Sequence, residues 1–251
     1  MSKRILLFIF ATVLLTLTSV AFVIYQNNKT NLQNNNEQYE LSDYYQGYTQ
    51  SPINILSTRA KIKPRDLKVN FDDKITSIEN TGHTIKLEFE KGSLIESGGN
   101  KYEVKQLHFH TPSEHKIDGM VFPMEMHIVS AGISEKVSDK LLVIGIIFKM
   151  GEDNEFIKKF LSHVPEEHHT NNIKKDNLNL SSFFGDLKIN LNHFYHYQGS
   201  LTTAPYTQNV EWFVIKDVFD ASPYQIAKIN NIIGNNARHT QLVDYLTLSF
   251  Q

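Results

Sequence analysis

The sequence contains no cysteine in its 251 residues. That excludes disulfides, thiolate ligands and a cysteine nucleophile, so any metal must be held by nitrogen and oxygen. Tryptophan occurs once, at Trp212, and proline only seven times, which sets the chain apart from proline-rich, low-complexity sequences. No internal repeat is found. Neither sign of charge dominates: 25 Lys and Arg stand against 27 Asp and Glu, a net charge of −2. The basic residues are scattered, whereas binding nucleic acid needs a concentrated cationic face, so nucleic acid is excluded as the main partner. What remains is an ordinary globular composition, 41% hydrophobic and 21% charged, with a length that suits one β-rich domain.

The longest apolar run lies at the start. Lys3 and Arg4 precede the uncharged stretch Ile5–Tyr25, the pattern of an export signal. Two readings of residues 1–25 stand side by side. Ser19-Val20-Ala21 offers small residues for cleavage. Left uncleaved, residues 5–25 are long enough to tether the chain to a membrane, with Lys3 and Arg4 on the cytoplasmic side. The remainder is then periplasmic, or anchored outside the cytoplasm. Residues 26–38 are rich in Asn and Gln and nearly devoid of apolar side chains; such a segment buries too little surface to offset its ordering and reads as a linker. The folded domain is expected over residues 39–251.

Strand patterns dominate that domain. Thr84–Glu90 alternates polar and apolar residues, as a half-buried strand does. Leu141–Phe148 is continuously apolar, which predicts a central strand covered on both faces. Two helices are expected. Asp153 caps one carrying Phe156, Ile157, Phe160, Leu161 and Val164. Ser222-Pro223 supplies N-cap and first residue of the other, with Ile226, Ile229 and Ile233 on one stripe and Gly234 closing it. A large sheet with a few peripheral helices follows.

The stretch that carries chemistry is Gln106-Leu107-His108-Phe109-His110. Side chains on a strand alternate faces, so Gln106, His108 and His110 share one face while Leu107 and Phe109 enter the core. Glu125-Met126-His127-Ile128-Val129 reads the same way, with Glu125, His127 and Val129 together. The polar, Pro- and Gly-containing segment between them suits a hairpin connection. Antiparallel pairing brings His127 beside His108 and His110. Three imidazoles leave a fourth tetrahedral position open, the mark of catalytic rather than structural zinc. Gln106 and Glu125 each precede a proposed ligand by two residues and are placed to accept its second ring N–H.

These residues, followed by Ser113-Glu114-His115, resemble the zinc-site signature of the α-class carbonic anhydrases of bacterial, exported type. Further similarities run in order along residues 39–251: Gln50–Ile55, Asn80–Thr84, Ser200–Pro205, Val210-Glu211-Trp212 and Asn236-Ala237-Arg238. The resemblance implies a mainly β, single-domain fold on a large twisted, mostly antiparallel sheet. It implies a zinc lyase that hydrates carbon dioxide reversibly to bicarbonate and a proton. His108, His110 and His127 would bind Zn2+. Thr202 would accept a hydrogen bond from zinc-bound hydroxide while donating to Glu114. Val129, Val143, Leu201 and Trp212 would form the apolar wall that holds carbon dioxide, Thr203 would contact bicarbonate, and His83 would carry the proton outward. Two departures are visible. The aromatic segment that usually precedes the Gln-Ser-Pro motif has no counterpart, and Ala204 replaces a common proline.

Two other function classes are disfavoured by the residues present. A non-catalytic binding module of the same family would typically have lost a zinc histidine, yet all three are present with Glu114 and Thr202. An unrelated zinc hydrolase would need a more polar pocket, and no His-Glu-x-x-His motif occurs. His163, His168, His169, His193, His196 and His239 lack ligand-like context and read as surface or packing residues. The resemblance implies that His115 is structural, hydrogen-bonded rather than metal-bound, and Phe194-Tyr195-His196-Tyr197 reads as core.

Overall fold

A computed structural model of the protein describes residues 49–71, 75–173, 178, 191–242 and 248–250. The expected signal or anchor at 1–25, the linker at 26–38 and the domain's first ten residues lie outside these. Among the described residues, no helix is long and apolar enough to cross a membrane.

The strands are β1 (Asn54–Ile55), β2 (Lys61–Ile62), β3 (Leu67–Asn70), β4 (Ile75–Asn80), β5 (Ile85–Phe89), β6 (Leu94–Ser97) and β7 (Asn100–His110). They continue as β8 (Lys116–Ile117), β9 (Met124–Gly132), β10 (Leu141–Met150), β11 (His169–Asn172), β12 (Phe194–Ser200), β13 (Gln208–Ala221) and β14 (Ser249–Phe250). Twelve of them form one sheet whose main path is β11-β4-β5-β7-β9-β10-β13-β12-β14-β2, with β6 pairing both β3 and β7. Pairing is antiparallel except at β10–β13 and β14–β2. The strands β1 and β8 make a separate parallel pair, so the segment between β7 and β9 is more than a loop.

The centre of the sheet follows from alternation. Leu107, Phe109, Met126 and Ile128 are buried in the larger apolar core, where Phe109 stacks on Phe160 with centroids 4.9 Å apart. Phe160 belongs to helix α1 (Glu155–Leu161), so this pair fastens the helix to the back of the ligand strand. Truncating Phe109 to Ala would cost about 3–5 kcal/mol. The helix is capped by Asn154, whose side chain accepts from the Ile157 N–H, and it ends at Leu161. This corrects the expected cap at Asp153 and leaves Val164 beyond the last turn. Either side chain can cap a helix; the extended backbone at Asn154 decides between them. Helix α2 (Pro223–Ile233) starts as expected, with Ser222 and Gln225 forming a reciprocal capping box, and Gly234 follows at φ 65°.

The opposite face holds a smaller cluster containing Val129, Val143, Ile147, Tyr195, Tyr197, Val210, Trp212 and Val214. Register explains its composition. Gln106 pairs with Val129, Val129 with Val143, and Val143 with Trp212, so these four form one row across the sheet. The next row runs Lys86, His108, His127, Gly145 and Val214. Gly145 leaves little room for a larger residue there. A β-carbon would come within 3.0 Å of Glu125 Oε1 and 3.7 Å of the Trp212 ring.

Candidate active site

The ligand row gathers three imidazoles. Centroid distances are 4.9 Å for His108–His110, 5.2 Å for His108–His127 and 4.7 Å for His110–His127. One nitrogen from each lies within 4.8 Å of the others. The remaining nitrogens of two rings are held as the alternation requires: His108 Nδ1 is 2.9 Å from Gln106 Oε1, and His127 Nε2 is 2.8 Å from Glu125 Oε1. Both nitrogens of buried His110 lack a hydrogen bond. Burial, then repulsion from His127, pushes His108 down to about 3. Burial, His127 and His108 together hold His110 well below the ordinary imidazole range. Burial alone would lower His127 too, but Glu125 and Glu114 outweigh it and raise the ring's proton affinity. Two neutral imidazoles and one polarised by carboxylates form a nitrogen donor set suited to one tetrahedral zinc ion.

Glu125 anchors the floor. Its Oε1 accepts from His127 Nε2 and from His115 Nδ1 at 2.7 Å; its Oε2 accepts from the backbone N–H groups of Glu114, at 2.9 Å, and His115, at 2.8 Å. Burial opposes its charge, but His115 and His127 outweigh that and keep the carboxyl ionised well below the usual range. The network continues inward. Tyr197 Oη lies 2.7 Å from His115 Nε2 and 2.8 Å from Ser51 Oγ. Ser51 and Ser200 exchange two backbone-to-hydroxyl bonds, and Trp212 Nε1 donates to the Ser200 carbonyl at 2.9 Å. His115 and Tyr197 are therefore structural and core residues, as expected.

Glu114 sits where the floor meets the pocket. Its Oε1 accepts from the Arg238 N–H at 2.8 Å. Its Oε2 makes no hydrogen bond and lies 3.5 Å from His110 Nε2 and 3.8 Å from His127 Nδ1. Burial raises this carboxyl, while His127, the Arg238 N–H and the nearby Thr202 side chain favour its ionised form. Arg238 also donates to Gln50 Oε1 and the Ser51 carbonyl, and its guanidinium lies 3.7 Å from the centroid of Tyr206.

Of the remaining expected site residues, Val129, Val143 and Trp212 are buried side by side, Leu201 packs against them half-buried, and Thr202 is buried. Thr203 is exposed. His83 is also exposed, on the turn between β4 and β5, and does not join the ligand cluster. Its backbone does connect to it: Asn236 Nδ2 donates to the carbonyls of His83 and Phe109, and Asn236 Oδ1 accepts from the Thr111 N–H. The positions of Asn236, Arg238, Ser51 and Tyr197 around the site were not legible from the sequence. Only the Asn-Ala-Arg and Gln-Ser-Pro motifs pointed toward three of them.

Three imidazoles on a sheet face, two buried and one half-buried, backed by carboxylate and amide acceptors and bordered by an apolar wall, form a site that could hold a metal ion. Comparison with known proteins makes this specific. Residues 24–247 match the family model for eukaryotic-type carbonic anhydrase. A carbonic anhydrase of Neisseria gonorrhoeae is 32% identical over 190 residues, covering 75% of this chain and 71% of its own. A hyperthermostable carbonic anhydrase from an active hydrothermal vent chimney is 35% identical, with a TM-score of 0.72 over 82% of this chain and 88% of its own. The α-carbonic anhydrase from Thermovibrio ammonificans, solved in complex with the inhibitor sulfanilamide, is 28% identical, with a TM-score of 0.72 over 81% and 87%. The chain belongs to the α-carbonic anhydrase family, whose members are zinc enzymes, and is an enzyme of carbon dioxide hydration.

Proposed function

We propose that this carbonic anhydrase works as an exported zinc enzyme in which His108, His110 and His127 hold the metal, Glu114 and Thr202 orient the nucleophile, and His83 exports the proton. The observation that carries the reading is the convergence of three imidazole nitrogens within 4.8 Å, with Gln106 and Glu125 fixing two rings from behind. Zinc, when bound, supplies a nucleophile derived from water at neutral pH, the water pKa in carbonic anhydrases as a class being about 7.

Each residue then has a defined task. Gln106 and Glu125 set the tautomers of His108 and His127, turning Nε2 of one and Nδ1 of the other toward the metal. An ionised Glu114 can only accept, so the Thr202 hydroxyl donates to it and its oxygen is left as an acceptor. An acceptor at Thr202 selects species with a hydrogen to give and turns a lone pair toward the apolar wall. That wall, Val129, Val143, Leu201 and Trp212, suits carbon dioxide, which is small and nonpolar. Thr203 at the mouth offers a hydroxyl to bicarbonate. His83, in contact with solvent, is placed to exchange a proton with buffer.

Stopped-flow carbon dioxide hydration with metal analysis of the same sample tests the reading. One zinc per chain should accompany activity, and full activity without zinc would overturn it. A primary aryl sulfonamide should inhibit, its deprotonated nitrogen taking the metal and its remaining N–H facing Thr202. Soaked crystals with the ligand elsewhere would refute this arrangement. Export is supported by Lys3, Arg4 and the apolar run 5–25. Cell fractionation with N-terminal sequencing distinguishes a cleaved periplasmic form from a tethered one, and a cytoplasmic form would contradict both.

A further inference from the structure

The turn that carries His83 is covered from outside by a segment the catalytic reading does not use. Strand β11 lies along the outer edge of β4, with His169 opposite Asn80. The chain just before β11 is thereby brought back beside the turn. Two contacts fix it there. Asn80 Nδ2 donates to the Pro165 carbonyl at 3.0 Å while Asn80 Oδ1 accepts from the Gly82 N–H. The Glu167 carboxylate lies against Gly82, so that a methyl group at this position would overlap Glu167 Oε1. His168 Nε2 is 3.3 Å from the same oxygen, and the two side chains are 71% and 66% exposed. The other carboxylate facing this edge, Glu79 on β4, is already engaged by Lys86 at 2.7 Å.

We propose that Glu167 and His168 form an outer proton station that accepts the proton from His83 and releases it to buffer. This rests on His83 being the shuttle. The chemical reason is the rate of release. A carboxylate held beside the same turn makes the transfer intramolecular and multiplies the sites at which a buffer base can collect the proton. The balance is simple. An N–H bond of the His83 imidazolium breaks, and an O–H bond forms on Glu167 or an N–H bond on His168. That bond then breaks as the proton passes to buffer base, and both groups return to their starting charge. No electrons change hands.

The test uses the full-length, zinc-loaded enzyme and compares kcat with kcat/KM in weak and strong buffer. The variants are His83→Ala, the pair Glu167→Gln/His168→Asn, their combination, and Glu96→Gln as a distant exposed carboxylate on β6. Asparagine is chosen because His168 has φ 60°, a backbone conformation Asn tolerates. The paired variant should lose part of its kcat in weak buffer, and less than His83→Ala loses. It should lose nothing in strong buffer, keep its kcat/KM, and add nothing to His83→Ala. Glu96→Gln should behave as the parent. If His83→Ala loses kcat in weak buffer and the pair does not, His83 releases its proton directly and the station is refuted while the shuttle stands. A loss equal in both buffers, or one that adds to His83→Ala, would mean that the segment only supports the turn. If His83→Ala itself shows no buffer-dependent loss, the shuttle reading fails and this inference fails with it.

Discussion

The two ends of the proposed proton path are built on opposite plans. At the His127 end the rings are buried or half-buried, and one carboxylate, Glu125, receives two ring N–H groups and two backbone N–H groups. At the His83 end the side chain is in water and only its backbone is tied, through Asn236. The inner end holds the ring tautomers from behind and, with the proposed metal bound, would fix its ligands, where a small displacement is expensive. The exposed end must exchange with solvent, where immobility would be a handicap.

The largest effect should separate these ends most sharply. His127→Ala removes a proposed ligand and should abolish hydration together with zinc content, whereas His163→Ala, at a half-exposed histidine outside the ligand cluster, should change neither. Equal losses from both, measured by stopped flow and metal analysis, would mean the wrong histidines have been assigned.

Glu125→Gln should come next. Both carboxylate oxygens accept from two N–H groups, so an amide in either orientation sets its own NH2 against two donors. Removing one partner from a buried charged network costs about 3–5 kcal/mol, and disturbing the group behind a metal ligand costs about 10–100-fold in metal affinity. Urea denaturation and zinc competition would measure the two. A variant with parental stability would show that the network is not under this constraint.

A third prediction concerns a buried histidine without such support. His196 lies on the far face from the ligands, its Nε2 without a hydrogen bond and 4.0 Å from Glu211. Burial, then Arg65 and Lys63, lowers its pKa from 6.5 to about 3. In that window the unfolded chain binds a proton that the folded state refuses, so stability is complete above 6.5 and falls as the pH drops. Between pH 6.5 and about 4.5 the loss amounts to about 2–3 kcal/mol. His196→Phe should not show that component; identical pH dependence of unfolding in parent and variant would contradict it.

The smallest effect belongs to the open end. His83→Ala should lower kcat about tenfold in weak buffer, about 1.4 kcal/mol, with kcat/KM nearly unchanged and small imidazole buffers restoring turnover. If kcat/KM falls equally and imidazole restores neither, His83 is a structural residue at the rim.

These differences also mark what could be read from sequence. Alternation alone set His108, His110, His127, Gln106 and Glu125 on one face and Leu107, Phe109, Met126 and Ile128 on the other, because the period of a strand is fixed by its backbone. The apolar run at Leu141 likewise announced a central strand. Asn154 displaced Asp153 as helix cap because adjacent residues of similar chemistry are told apart only by backbone angles. The partners of Glu114 and Tyr197 were invisible for another reason: Arg238 lies 124 residues from Glu114, and Ser51 lies 146 from Tyr197. No local pattern encodes such pairs. The four N–H groups converging on Glu125 were unreadable for the same reason, since two of them come from the backbone of a turn.

Those long separations have a consequence for how the enzyme matures. The three proposed ligands lie within a span of twenty residues on neighbouring strands. Glu114 needs Arg238, and Ser51 needs Ser200, before the surrounding floor is closed. Contacts this distant in sequence form slowly. The ligand row therefore depends on local strand pairing, while the groups proposed to orient a reactant depend on the far end of the chain being in place.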